Sequence, residues 1–291
     1  MLAQAITNGL LQSGLYLTVA LGFSLAWSVT GVINLAHGEM VMLGAYITWL
    51  LFSAGWLAPL SSLFVVVPAM FAVGYVVERL LLRRLTARGM LATLLGTLGL
   101  SVALQQAARL IFSPTPHTMP LPLSGLWHIG PVNVAVGHAA LFLIAVVTIA
   151  ATVAFLRLTR LGASMRAVAQ NAEAAEMVGI DVVRLRTLGF AVCAAIAGVA
   201  GVLASQFQPV HPGMGSTLLL SALAITALAG PGNLAGAVVG AGALAIAESL
   251  IGVFVPRIGA NLGVVVAAVL LVVMLVARRG ELLHGGQRGH R

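Results

Sequence analysis

Residues 157–186 read RLTRLGASMRAVAQNAEAAEMVGIDVVRLR, and this charged segment decides the fold class. It holds five of the 15 arginines and three of the seven acidic residues, while the sequence on both sides is mostly Leu, Val, Ala, Gly and Ile. Each flank contains an apolar run of the length that a helix needs to cross a bilayer, about 20 residues. A charged segment between two such runs must lie in water at one face of a membrane.

The overall composition supports the same class. The chain is 60% hydrophobic and 8% charged, and its mean hydropathy is +1.07, far from soluble globular norms. The sequence predicts an all-α, polytopic helical membrane protein with a single transmembrane domain over residues 1–291. Such a chain is not expected to bind nucleic acid, because its arginines lie in short clusters beside apolar runs. It is not expected to be an enzyme either, because no convergent nucleophile and base are visible in the sequence.

All the basic residues are arginines, and the sequence contains no lysine. A phosphate-binding P-loop requires a lysine, so this chain is not expected to hydrolyse a nucleotide by itself. We therefore expect no cofactor and no metal ion in the chain, and any ATP would be bound by a partner.

Apolar runs long enough to cross a bilayer recur along the whole sequence. Residues 216–229 form an additional, shorter run before the helix-breaking sequence Gly-Pro-Gly-Asn at 230–233. This short run is either a thin ninth span or one arm of a re-entrant hairpin, so eight or nine transmembrane helices are predicted. The eight longer runs are 5–29, 35–54, 57–78, 90–112, 137–156, 187–207, 234–254 and 261–277.

The arginines also predict an orientation. The clusters 79–88, 157–186 and 278–291 hold 13 of the 15 arginines. The number of spans between them places all three on one side, which the positive-inside rule identifies as the cytoplasm. The N-terminus is then outside, and the tail 278–291 is cytoplasmic.

The charged segment contains the signals of one short helix. Asn171 suits the N-cap, Glu173 lies in the first turn where the helix dipole favours an anion, and Gly179 suits the position after the last turn. A short isolated helix is marginal in water, so this one either docks on a partner or packs on its own domain. The apolar side that would dock consists of Ala172, Ala175 and Val178.

Few polar or ionisable residues fall inside the predicted spans, and those that do are candidates for function. Asn34, His37 and Glu39 lie at the start of the second span, and Glu248 lies in a late one. They either line the translocation pathway or brace neighbouring helices by hydrogen bonds. A metal site at His37 and Glu39 is disfavoured because no third ligand is evident. Glu248 has no obvious local partner, and Arg257 is the candidate.

The motif Glu173-Ala174-Ala175-xxx-Gly179 matches the first half of the Glu-Ala-Ala-xxx-Gly loop of membrane subunits in ATP-binding-cassette importers. The wider run 162–181 resembles the permeases of the branched-chain amino acid importer family. Further matching stretches lie at 14–23, 31–46 and 197–203, so the resemblance extends over most of the chain.

This resemblance implies a bacterial inner-membrane permease for branched-chain amino acids or similar small polar solutes. A second, related permease subunit would complete the pore, two cytoplasmic ATPase subunits would drive it, and an external solute-binding protein would deliver the solute. Residues 173–179 would enter a groove of the ATPase, and Arg166 or Arg184 would anchor its rim. The implied ATPase-coupling residues are Arg166, Asn171, Glu173, Ala174, Ala175, Gly179 and Arg184.

A helical membrane protein of this composition is also compatible with two other function classes. A self-contained secondary transporter or channel is the main alternative, but an ion-coupled carrier concentrates carboxylates at mid-depth, where only Glu248 is a candidate. An intramembrane enzyme would need a convergent nucleophile and base or a metal cluster, and the sequence shows no such pattern.

Overall fold

The computed structural model describes residues 1–254, except 122, 130, 131 and 231, together with Val269. These residues form a bundle of helices and one two-stranded hairpin, which confirms the predicted helical membrane fold. The predicted span 261–277, the tail 278–291 and Arg257 lie outside the described residues.

Eleven helices can be followed through the described residues. The first six, with the hairpin, are α1 Leu2–Thr30, α2 His37–Ser53, α3 Leu63–Val77, α4 Arg83–Thr86, α5 Met90–Phe112, β1 Leu126–Ile129, β2 Val132–Ala135 and α6 Val136–Leu158. The others are α7 Arg160–Gln170, α8 Ala172–Met177, α9 Val182–Phe207, α10 Met214–Ala229 and α11 Leu234–Phe254. A π-helical turn over Glu78–Leu82 joins α3 to α4.

Six helices in the described part of the chain are long and apolar enough to cross a membrane: Leu2–Thr30, Leu63–Thr86, Met90–Phe112, Val136–Leu158, Val182–Phe207 and Leu234–Phe254. The helices α2 and α10, of 17 and 16 residues, are shorter. Each of these eight elements corresponds to one predicted apolar run.

The two ends of α1 place the chain start and the charged segment on opposite sides of the bundle. At the first end, the Gln4 amide donates to the Asn133 carbonyl oxygen at 2.7 Å, and the Asn133 N–H donates to Gln4 Oε1 at 2.8 Å. At the other end, Val29 is buried in one cluster with Met165 of α7. The side that faces the cytoplasm remains a prediction from the arginine pattern.

The segment that contains the short helix α10 connects these two sides. Just before it, Val210 and His117 exchange backbone hydrogen bonds of 2.8 and 2.9 Å, next to the long loop that follows α5. Just after it, the Gly232 N–H donates to Ser24 Oγ of α1 at 2.8 Å, near the end that carries the charged segment. The residues that flank α10 thus lie on different sides, while α10 itself begins inside the bundle, where Gly215 packs against Gly38 of α2. For residues 216–229, the thin span and the re-entrant arm both stay predictions.

Small residues bring the central helices into close contact. A Cβ on Gly201 of α9 would lie 2.6 Å from the backbone nitrogen of Ala45 in α2. A Cβ on Gly44 would lie 2.9 Å from the Cα of Gly198. Lipid offers helices no hydrophobic driving force for association, so such backbone-to-backbone packing is how membrane helices gain contact.

Candidate functional site

The charged segment begins with α7, a helix that the sequence analysis did not single out. Its N-cap is Thr159, whose Oγ1 accepts the Gly162 N–H at 3.0 Å. Its inner face buries Gly162, Met165 and Val168 against the bundle. Leu161, Met165 and Val168 are spaced at i, i+4 and i+7, and this helical period could have revealed α7.

The predicted short helix is α8, and its local signals act as expected. Asn171 Oδ1 accepts the Ala174 N–H at 3.0 Å, and Glu173 lies in the first turn. The helix ends at Met177, and Gly179 follows with a φ of 84°. This left-handed conformation is strained for any residue with a side chain, which accounts for the glycine.

The face that α8 turns outward differs from the predicted docking side. Ala175 is only 4% exposed, because it packs into a small core with Val29, Met165 and Leu185, and Ala172 lies against the same core. The expectation that Ala172 and Ala175 enter a partner's groove is therefore wrong for these two residues. Met177 is 82% exposed and Val178 is 77% exposed. The outward surface consists of Glu173, Glu176, Met177 and Val178.

Two arginines flank α8 with free guanidinium groups. Arg166 is exposed on α7 and lines a cavity of about 580 Å³ beside Trp27, Gln170 and Gly232. Arg184 is exposed in the first turn of α9, whose N-cap is Asp181. Neither guanidinium has a hydrogen-bond or ion-pair partner among the described residues, so both are available to an anionic group on another molecule.

Between α1 and α2 the chain turns back into the protein. Gly31 ends α1 with a φ of 72°. His37, the first residue of α2, lies with Nε2 3.3 Å from the carbonyl oxygen of Val19. A helix rises about 16 Å from Val19 to Thr30, so α2 begins deep inside the bundle and not at its surface.

The non-helical backbone at this break has hydrogen-bond partners from the protein, as it must inside a membrane. Asn34 Oδ1 accepts the Ala36 N–H at 3.0 Å, and the Asn34 carbonyl oxygen accepts the His37 N–H at 3.2 Å. The Leu35 N–H donates to Thr97 Oγ1 of α5 at 3.3 Å. Asn34 therefore stabilises the start of α2, and α5 stabilises the break.

Glu39 lies in the first turn of α2, with no exposed surface. Its Oε1 accepts hydrogen bonds from Ser101 Oγ at 3.0 Å and from Gln105 Nε2 at 2.7 Å, both on α5. Its Oε2 has no hydrogen-bond partner in the described part of the chain and lies against Gly215 in the first turn of α10, where a Cβ would stand 2.7 Å from the Glu39 Cδ. Glu39 is thus the point where α2, α5 and α10 meet.

The polar residues of α5 that make these contacts were missed from the sequence. Thr93, Thr97, Ser101 and Gln105 recur every fourth position, so they form one stripe on the helix. Thr97, Ser101 and Gln105 bond directly to the start of α2 or to the break before it. The spacing of these residues, inside an otherwise apolar span, was the signal that could have identified them.

A small polar cavity lies on the charged-segment side of the break. Three of the residues that line it each carry a buried atom that lacks a hydrogen-bond partner among the described residues: Asn34 Nδ2, Glu78 Oε2 and Arg186 Nε. Its volume of about 20 Å³ exceeds the ~10–15 Å³ that one water molecule occupies. Glu78 opens the π-helical turn and Arg186 lies near the start of α9, so this cavity joins α3, α9 and the break.

Glu248 belongs to a separate contact, between α11 and α1. Its Oε2 accepts the hydroxyl of Tyr16, and the Tyr16 oxygen accepts Gln12 Nε2 at 3.1 Å. One residue later, Ser249 Oγ donates to the Ala5 carbonyl oxygen at 2.7 Å. The structure thus brings Asn34, His37 and Glu39 together but places Glu248 elsewhere, with Tyr16 as the partner that the sequence did not reveal.

The comparison with known families agrees with this architecture. The model of the family described as branched-chain amino acid transport system / permease component matches residues 5–275. The high-affinity branched-chain amino acid transport system permease protein LivH of Escherichia coli K12 is 29% identical, over 96% of this chain and 94% of its own. The corresponding protein BraD of Pseudomonas aeruginosa is 29% identical, over 84% of this chain and 85% of its own.

A solved structure shares the fold. PsaBC from Streptococcus pneumoniae, in complex with Fab, matches with a TM-score of 0.50 at 14% sequence identity. The match covers 94% of this chain and 95% of that one. With a family model that matches nearly its whole length, the chain belongs to the permease component family of branched-chain amino acid transport systems.

Proposed function

We propose that this chain is a membrane permease subunit of an ATP-binding-cassette importer, and that it forms part of the translocation pathway for branched-chain amino acids or similar small polar solutes. The observation that carries the proposal is α8, an exposed helix capped by Asn171 and Gly179 and seated on the ends of α1 and α9. Family membership supports the solute class.

In this proposal, ATP hydrolysis by partner subunits drives transport, and the chain is coupled to them by direct contact. Two ATPase subunits bind the charged segment and hold the ATP, since a chain without lysine lacks the residue that a P-loop requires. Glu173 of the outward surface enters the ATPase groove, and the free guanidinium groups of Arg166 and Arg184 bind at its rim. The ends of α8 and its position on the bundle depend on Asn171, Ala174, Ala175 and Gly179.

The remaining partners follow from the two sides of the bundle. With the charged segment in the cytoplasm, the chain start and the 113–135 loop are external, where a solute-binding protein delivers the solute. The tail 278–291 is cytoplasmic in this arrangement. A second permease subunit, a related chain, completes the pore within the inner membrane.

Within the membrane, we assign Asn34, His37 and Glu39 to bracing the start of α2. Asn34 and Glu39 each accept hydrogen bonds from the chain around them, and all three side chains are buried. Glu248 braces α11 against α1 through Tyr16. In this proposal the translocation pathway runs along helix surfaces whose positions are fixed by these hydrogen bonds.

The test is to purify the chain together with its co-expressed ATPase subunits and to measure uptake in proteoliposomes. Glu173→Lys is expected to abolish association with the ATPase while membrane insertion stays intact. Ser124→Lys is the matched control, because it adds the same side chain to an exposed position on the opposite side of the bundle. It should leave association unchanged.

Two results would contradict the proposal. Normal association of the Glu173→Lys variant would remove the docking role of α8. Uptake by the chain alone, without ATPase subunits and driven by an ion gradient, would identify a self-contained secondary transporter instead. ATP-dependent uptake that requires the ATPase subunits is the expected outcome.

A further inference from the structure

A long apolar groove runs along the outside of the bundle between α1, α6 and α11. Its volume is about 660 Å³. Beneath it α1 and α6 are in direct contact, since a Cβ on Gly14 would lie 2.9 Å from the Cβ of Ala145. Its walls include Leu10, Leu17, Phe142, Val153, Val238 and Gly242.

The groove follows the direction of the membrane-spanning helices. Along α6 it extends from Phe142 to Arg157, over which a helix rises about 22 Å. One leaflet of a bilayer contributes about 15 Å of hydrocarbon. The groove is therefore long enough to take an extended acyl chain lying parallel to the helices.

One end of the groove is positively charged. Arg157 lines it on the side that carries the charged segment, and its side chain is exposed. It has no hydrogen-bond or ion-pair partner within the described part of the chain, and no acidic residue is among those lining the groove. An occupant that matches the whole groove must combine a long apolar part with an anionic end.

We propose that this groove binds an anionic phospholipid, with its phosphate at Arg157 and one acyl chain along the apolar walls of α1, α6 and α11. Basic positions between helices at the membrane boundary bind such head groups, while apolar side chains accept the chain. A transmembrane helix of another subunit is the competing occupant of the same walls.

The charge is tested by lipid binding to the purified complex of the permease with its ATPase subunits. Phosphatidylglycerol and phosphatidylcholine are titrated separately, and bound lipid is counted by native mass spectrometry. Arg157→Gln should weaken phosphatidylglycerol binding about five-fold, the usual contribution of one arginine near a head group, and leave phosphatidylcholine unchanged. Arg84→Gln is the control, since Arg84 is exposed on the same side but outside the groove.

The shape is tested by filling the groove. A Cβ on Gly242 would meet no atom of the described residues within 4 Å, so Gly242→Leu should occupy the groove without disturbing the fold and should reduce binding of both lipids. Gly252→Leu is the matched control on α11, because Gly252 is equally open but does not line the groove.

Three results would overturn the proposal. One is equal phosphatidylglycerol binding by the Arg157→Gln and Arg84→Gln variants, and another is unchanged lipid binding by Gly242→Leu. The third is loss of permease pairing in Gly242→Leu without loss of lipid, which would make the groove a protein interface. None of these readouts depends on transport, so they separate lipid binding from the proposed importer function.

Discussion

The crossing of α2 and α10 at Gly38 and Gly215 gives the sharpest test of the packing. A Cβ on Gly38 would lie 2.7 Å from the carbonyl carbon of Gly215 and 2.9 Å from the Cβ of Leu219, with the Gly215 oxygen closer still. Because the obstructing Gly215 atoms belong to the backbone, no change of rotamer relieves them. Gly38→Ala must therefore push the two helices apart.

The magnitude follows from two opposing effects. Overpacking of this kind costs about 1–3 kcal/mol, and the upper end applies because a whole helix must shift. The better helix propensity of Ala offsets about 1 kcal/mol of this cost. The net loss is about 2 kcal/mol, which in a domain of this size lowers the melting temperature by about 4–8 °C.

The chain contains its own reporter for this measurement. Cys193 is its single cysteine and is 1% exposed, so a thiol-reactive fluorophore labels it as the protein unfolds in detergent. Gly242→Ala is the control, since its Cβ meets nothing within 4 Å and it should melt at or slightly above the wild-type temperature. If Gly38→Ala also melts at or above that temperature, the close crossing is wrong.

Three further substitutions test other contacts. Gly179→Ala should cost about 1–2 kcal/mol because the φ of 84° disfavours a side chain, and co-purification should show weaker ATPase association. Tyr16→Phe removes the hydroxyl that Glu248 accepts, so the thiol assay should show a loss of about 0.6–1.7 kcal/mol. Thr97→Val leaves the Leu35 N–H without its acceptor and should cost about 1–3 kcal/mol in the same assay; unchanged melting would mean that α5 does not support the break.

Helix positions were predictable from the sequence because the bilayer dictates them. The run 90–112 coincides with α5, Met90–Phe112, and 234–254 coincides with α11, Leu234–Phe254. A spanning helix must be apolar over a set length, and glycine, proline or arginine marks its ends. The caps of α8 were predictable for a similar reason, since Asn171 and Gly179 act on neighbouring backbone.

Contacts between distant helices could not be predicted in the same way. Whether Ala175 faces a partner or its own domain depends on where Val29 and Met165 lie, and no local pattern records that. The pairing of Tyr16 with Glu248 likewise joins the first helix to a late one. Most faces of α1 and α11 are apolar, so hydrophobic periodicity does not indicate which face meets which neighbour.

The packing around Val29 makes the charged segment and the start of α2 parts of one mechanical unit. Val29, near the end of α1, is buried with Met165 and Ala175, and a Cβ on Gly189 of α9 would lie 2.8 Å from its Cγ1. Further back on the same helix, a Cβ on Gly22 would lie 3.1 Å from the His37 ring. Because closely packed interiors transmit strain and do not absorb it, a displacement of α8 either carries α1 along or opens the Val29 core. If α1 moves as a rigid helix, the first residue of α2 must move with it. The non-helical break between α1 and α2 is then where the chain can adjust to a change in the relative position of the two helices.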